Sequence, residues 1–123
     1  MDPDALKYTK DHEWISLASG VGRVGITDFA QKQLGDVVFV ELPDVGRTVS
    51  QGQTAGTIES VKAVSELYSP ASGKVVAVNP DLSAKPETVN KDPHGTWLYD
   101  IELTNPAEVD NLLNNDQYAD LVK

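Results

Sequence analysis

The sequence predicts a mostly β fold, a small quasi-symmetric barrel or sandwich with one short helix after the second strand and helices at the C-terminal end. Three observations carry this expectation. Short runs of alternating or β-branched residues recur between turn clusters rich in Gly, Pro, Ser and Asn. Two such sets of runs are arranged nearly symmetrically about residues 59–66, and helix-capping signals are confined to 27–35 and to the stretch after Asn105.

In chain order, 12–17 reads as the first strand, Ser19-Gly20 as its turn and 21–26 as the second strand. Thr27 is placed to cap a helix of about two turns, with Asp28 in its first turn, Phe29, Ala30 and Leu34 on one face and Gly35 closing it. Residues 36–42, with Val37, Val38, Phe39 and Val40, are the most apolar strand and are expected at the centre of a sheet. From 46 to 79 short strands and turns mirror one another about Lys62. Residues 81–93 read as a loop with at most a helical turn, and 96–103 as a further strand carrying Trp97, Leu98, Tyr99 and Ile101. Asn105, Pro106 and Glu108 form a capping arrangement ahead of Val109, Leu112 and Leu113. A second short helix from about Asp116 should set Tyr118, Leu121 and Val122 on one face. A single domain over 1–123 is expected, with 105–123 as its helical segment, and the aromatic residues Trp14, Phe29, Phe39, Tyr68, Trp97 and Tyr99 are expected in the core.

The centre of this arrangement is Glu59-Ser60-Val61-Lys62-Ala63-Val64-Ser65-Glu66. Strand-like sequence on both sides leaves room only for a tight turn, which lifts Lys62 to a hairpin tip. Without Gly, Asn or Asp, that turn should avoid positive φ and take ordinary type I geometry. Gly52 lies ten residues before Lys62 and Gly73 eleven after it, and no other cation stands within ten residues on either side. One primary amine on a rigid stalk, framed by Glu59 and Glu66, is an address that an acylating enzyme can tell from other lysines.

Composition narrows the function. Ten basic and nineteen acidic residues give a formal charge of −9, which disfavours nucleic acid and anionic membrane surfaces and favours basic patches on partner proteins. With no cysteine, the chain has neither disulfides nor thiolate chemistry of its own. The acidic start Met1-Asp2-Pro3-Asp4 lacks signal or transit character, so a cytoplasmic protein is expected.

No enzyme site emerges from the residues. Gly20-Val21-Gly22-Arg23-Val24-Gly25 matches the dinucleotide pattern, with Glu41 about twenty residues on. However, Thr27-Asp28 cap the helix only after the last glycine, and Val24 suits a strand, so the glycines do not open into a phosphate-binding helix. A nucleotide-binding fragment is the competing reading. His12 and His94 lack partners at metal-ligand spacing, no serine sits in Gly-x-Ser-x-Gly, and Glu59 and Glu66 beside a tip are too exposed for an acid–base pair.

Taken together, Glu59-Ser60-Val61-Lys62 with Glu66, Tyr8-Thr9-Lys10-Asp11-His12-Glu13-Trp14, Gly25-Ile26-Thr27-Asp28-Phe29-Ala30-Gln31, Leu34-Gly35-Asp36, Val40-Glu41-Leu42-Pro43, Tyr68-Ser69-Pro70, Ser72-Gly73 and Val89-Asn90-Lys91-Asp92-Pro93 resemble the glycine cleavage system H protein family. Val61 and Ala63 separate the chain from biotin carriers, whose lysine lies between methionines. His94 stands where the family commonly has Tyr, the loop before Trp97 is one residue shorter, and Val64 replaces a frequent Ala. The resemblance implies a lipoyl-domain-like barrel-sandwich hybrid, acting as a non-catalytic, monomeric carrier. It further implies lipoate in amide linkage on Lys62, with Glu59, Ser60, Val61, Ala63, Glu66 and Gly73 recognised by a lipoylating enzyme. The arm would take an aminomethyl group from a pyridoxal-phosphate glycine decarboxylase and pass it to a tetrahydrofolate-dependent aminomethyltransferase. An FAD-dependent dihydrolipoyl dehydrogenase would then reoxidise it. A lipoyl relay protein, or a carrier for a 2-oxo acid dehydrogenase type system, is the alternative within this resemblance.

Overall fold

The computed structural model describes residues 6–122. The strands are β1 (Leu6–Tyr8), β2 (Glu13–Ala18), β3 (Val21–Ile26), β4 (Val37–Glu41), β5 (Thr48–Val49), β6 (Thr54–Ser60), β7 (Val64–Tyr68), β8 (Gly73–Val78) and β9 (Tyr99–Leu103). Helix α1 (Asp28–Leu34) follows β3. Single turns α2 (Asp81–Ala84) and α3 (Thr88–Lys91) lie between β8 and β9, and a 3₁₀ segment (Pro106–Asn111) and α4 (Asn115–Leu121) follow β9. The strands form a six-stranded sheet, ordered β1-β2-β3-β9-β8-β5, and a three-stranded sheet, ordered β4-β6-β7.

The two sheets bury their apolar faces on each other. Ile15, Val24, Val75, Tyr99 and Ile101 from the larger meet Val37, Val40, Ile58 and Leu67 from the smaller. Each such side chain contributes about 1.5–3 kcal/mol on leaving water. The mostly β architecture, its helix and its C-terminal helices are those the sequence predicts.

A second, smaller cluster joins the two ends of the described chain. Tyr118 of α4 stacks on Tyr8 at 4.5 Å between ring centroids, Leu6 and Trp14 complete the cluster, and Tyr8 and Leu113 exchange backbone hydrogen bonds of 2.8 and 2.9 Å. Strand β1 is the strand that sequence reading missed, because Leu6-Lys7-Tyr8 is too short to show a period. Its place is settled by β2 on one side and Leu113 on the other. Residues 81–93 hold two helical turns where at most one was expected.

Several expectations change at this level. The apolar run 36–42 is an edge strand, not a central one. A bulge between Val37 and Phe39 turns Val38 and Phe39 outward, 53% and 49% exposed, so Phe39 leaves the core while Trp14 and Tyr99 are fully buried in it. Asn105 makes no side-chain cap. The Glu108 carboxylate reaches across to the Ser72 N–H and hydroxyl instead, each at 2.9 Å, and the segment tightens into 3₁₀ geometry. The capping box forms later, between Asn114 and Gln117, and of the α4 face Tyr118 is buried while Leu121 stays 49% exposed. The expected strand 96–103 begins at Tyr99.

The glycine pattern at 20–25 has a packing explanation. Gly20 turns the β2–β3 hairpin at φ 82°, and Gly22 and Gly25 sit inside β3 where a Cβ would stand 2.6 Å from Ile15 and 2.3 Å from Trp14. These glycines make room for the side chains of β2. Helix α1 begins two residues after β3 ends, under its own Thr27 cap, which accepts the Ala30 N–H at 3.2 Å.

Candidate functional site

Strands β6 and β7 form the hairpin, with Thr57 opposite Glu66, Ile58 opposite Ser65 and Glu59 opposite Val64. The Ser60 N–H donates to the Ala63 carbonyl at 2.8 Å, which leaves Val61 and Lys62 as the tip. No residue of the tip has positive φ, as the sequence predicts. The reason is local. Ser60 Oγ accepts the N–H groups of Lys62 and Ala63, at 3.3 and 3.1 Å, and so satisfies backbone donors that a glycine turn would otherwise have to re-aim.

The tip is braced from behind by the turn joining α1 to β4. The Val61 N–H donates to the Asp36 carbonyl at 3.0 Å. Gly35 sits at φ 79°, and a Cβ built on it would lie 3.3 Å from Cε and 3.7 Å from Cδ of Lys62, so the lysine stem runs along bare glycine backbone. Asn90 at the end of α3 locks that turn: its Nδ2 donates to the Gly35 carbonyl at 2.8 Å and to Gln31 Oε1 at 3.1 Å, while its Oδ1 accepts the Val37 N–H at 2.8 Å. Lys62 itself is exposed, and no ion pair involving it occurs among the described residues. The arrangement offers an amine whose root is fixed by three segments of chain and whose end is free.

The acidic frame divides. Glu66 is exposed on β7 and accepts from the Tyr68 hydroxyl at 2.9 Å and Thr54 Oγ1 at 3.3 Å, and the hydrogen bond from Tyr68, with the carboxylate's charge behind it, raises the pKa of the tyrosine. Glu59 is half-buried, in a cross-strand row between Phe39 and Val64. Ser60, Val61 and Ala63 make the tip. Gly73 does not join them: it opens β8 in the larger sheet, where a Cβ would meet the Glu102 carbonyl.

Beside the hairpin, between α1 and β7, lies a cleft of about 300 Å³ lined among others by His12, Glu13, Leu34, Ala63 and Glu66. Glu13 is 2% exposed, and burial pushes its carboxyl up to about 7 despite the stabilising hydrogen bonds from Thr9 Oγ1 and the Tyr68 N–H. Its neighbour His12, at φ 71°, places Nδ1 2.9 Å from the Tyr118 hydroxyl, and burial lowers its pKa. The cleft therefore holds a carboxyl that exchanges its proton near neutrality.

Sequence reasoning overlooked Gly35, Asp36 and Asn90 as parts of the site. Gly35 was legible as the close of helix α1 and the other two only as matched family residues, none with a role at the tip, because their contacts with it are tertiary.

The comparisons agree on one family. The family model described as Glycine cleavage H-protein matches residues 6–123. A glycine cleavage system H protein of Symbiobacterium thermophilum is 57% identical over 122 residues, covering 98% of this chain and 95% of that one. Another, from Koribacter versatilis, is 56% identical over 116 residues, covering 94% of this chain and 90% of that one. Among solved structures, the crystal structure of a glycine cleavage system H protein from Mycobacterium marinum superposes with a TM-score of 0.88 at 46% identity, over 97% of each chain.

Proposed function

The chain belongs to the glycine cleavage H-protein family, the lipoate-carrying shuttles of the glycine cleavage system, and from that premise we propose that Lys62 is the residue that carries the lipoyl group. The observation that supports this reading is the braced tip: an exposed primary amine without an ion-pair partner among the described residues, its stem laid on Gly35 and its backbone held by Ser60 and Asp36. In attachment, the Lys62 amine as free base attacks the carbonyl carbon of an activated lipoyl ester. The N–C bond forms, the bond from that carbon to the leaving oxygen breaks, and the original ammonium gives up two protons in all. The formal charge becomes one more negative than −9.

The bound group would supply a dithiolane that takes up the aminomethyl unit at the glycine decarboxylase, yields it at the aminomethyltransferase and is reoxidised by the dihydrolipoyl dehydrogenase. The protein's own residues do no bond chemistry in that cycle. Ser60, Asp36 and Asn90 restrict where the arm begins, which raises its effective concentration at each enzyme. The absence of cysteine prevents a mixed disulfide between the arm and its own carrier. Glu59, Ser60, Val61, Ala63 and Glu66, without Gly73, complete the reading as the frame that the lipoylating enzyme recognises, in one cytoplasmic carrier domain over 1–123.

The test is the intact mass of the protein after exposure to lipoate and a lipoylating enzyme, with peptide mapping. A lipoyl increment on Lys62 is expected. An unmodified chain beside a modified reference carrier, or an increment elsewhere, overturns the assignment.

A further inference from the structure

The outer face of the three-stranded sheet is unusual for an exposed surface. Its register aligns Phe39, Glu59 and Val64 in one cross-strand row, and Glu41, Thr57 and Glu66 in the next row away from the tip. The bulge in β4 adds Val38 on the same edge, and Val61 stands at the tip. Val38, Phe39, Val61 and Val64 are 53%, 49%, 69% and 67% exposed, so four large apolar side chains lie at the end of the sheet that carries Lys62 and border the row of Glu41 and Glu66.

We propose that this face, with Phe39 and Val64 at its centre, is the surface on which the lipoylating enzyme seats while it acylates Lys62. The proposal rests on the reading of Lys62 as the acyl acceptor. The choice of occupant follows from reach. An enzyme whose substrate atom is Lys62 Nζ must close its active-site walls around the tip and the side chains flanking it. Enzymes that act on the far end of a loaded arm have their reacting atoms an arm's length from Lys62, so contact with this face is not obligatory for them. The partner surface this face fits is an apolar patch edged by lysine or arginine, which would meet Glu41 and Glu66 as the apolar residues dock. Strand β4 thereby becomes part of a recognition site otherwise confined to the hairpin, and the bulge is what presents its two side chains.

The experiment measures initial lipoylation rates of the full-length protein by a lipoate ligase with ATP and lipoate, read by mass over a range of carrier concentrations. Phe39→Ser and Val64→Ser replace exposed side chains, and thermal unfolding checks that each variant folds. Each should raise KM by about ten-fold with kcat nearly unchanged, while long incubation still modifies Lys62 fully. Val45→Ser, which removes an equally exposed side chain from the β4–β5 loop, should change neither constant. Unaltered KM in folded Phe39→Ser and Val64→Ser overturns the docking face. So does normal lipoylation combined with a defect that appears only when the loaded variants meet the glycine decarboxylase. Failure of the wild-type protein to be modified at Lys62 is a different result: it removes the carrier assignment itself.

Discussion

At the scale of single residues, Lys62 is set apart by its exposure and Glu13 by its burial. Lys62→Arg keeps a long cationic stem over Gly35 but lacks an acylable amine, so the variant should fold normally and show no lipoyl increment by intact mass. Glu13 sets a pH dependence whose sign follows from its environment. Its folded pKa, about 7, lies above the ordinary 4.5, so its contribution to stability is fully present below the lower value and is lost as pH rises through the upper. Between those limits the wild-type protein should lose up to about 3 kcal/mol relative to Glu13→Gln, which has no proton to give up. Paired denaturant titrations of the two proteins at about pH 5 and pH 8 check this, and a constant difference between them contradicts it.

At the scale of elements, the hairpin is only as well placed as the turn behind it. Gly35→Ala forces a side chain into positive φ and against the Lys62 stem, and should cost of order 1–3 kcal/mol while slowing lipoylation. Asn90→Ala removes three hydrogen bonds that hold the same turn and should destabilise the protein by about 1–3 kcal/mol. Denaturant unfolding and lipoylation rates measured on both variants test whether the two effects run together, as a shared brace requires. The helix α1 that leads into this turn was readable in advance, because Thr27, Asp28 and Gly35 are local signals. The position of β4 was not. Its apolar run implies burial on both faces, yet a bulge and an edge position leave half of it facing outward, and neither feature is written in hydrophobicity.

Across the whole molecule, charge and topology act together. A protein of formal charge −9 that visits several enzymes should associate faster at low salt, and its on-rate with the aminomethyltransferase should fall roughly ten-fold between about 0.02 and 0.5 M salt. Stopped-flow association across that range decides it, since a flat profile leaves the acidic surface without a part in docking. The two ends of the described chain are joined by Tyr8, Trp14 and Tyr118, and the Tyr118 hydroxyl meets His12 Nδ1 at 2.9 Å, so helix α4 supports a residue of the cleft lining. Among the described residues, no helix is long and apolar enough to cross a membrane.

The sequence by itself determined the β-rich class, helix α1, the hairpin and the place of Lys62 at its tip, because each is encoded by neighbours a few residues apart: strand alternation, caps, and a tip with no residue suited to positive φ. Only the tertiary structure decided that β1 exists, that β4 is an edge, that Glu108 binds Ser72 instead of capping its helix, and that Gly73 stands apart from the lysine. It also brought Gly35, Asp36 and Asn90 to the tip. Those outcomes depend on partners tens of residues away, where long-range packing and hydrogen-bond satisfaction outweigh local propensity.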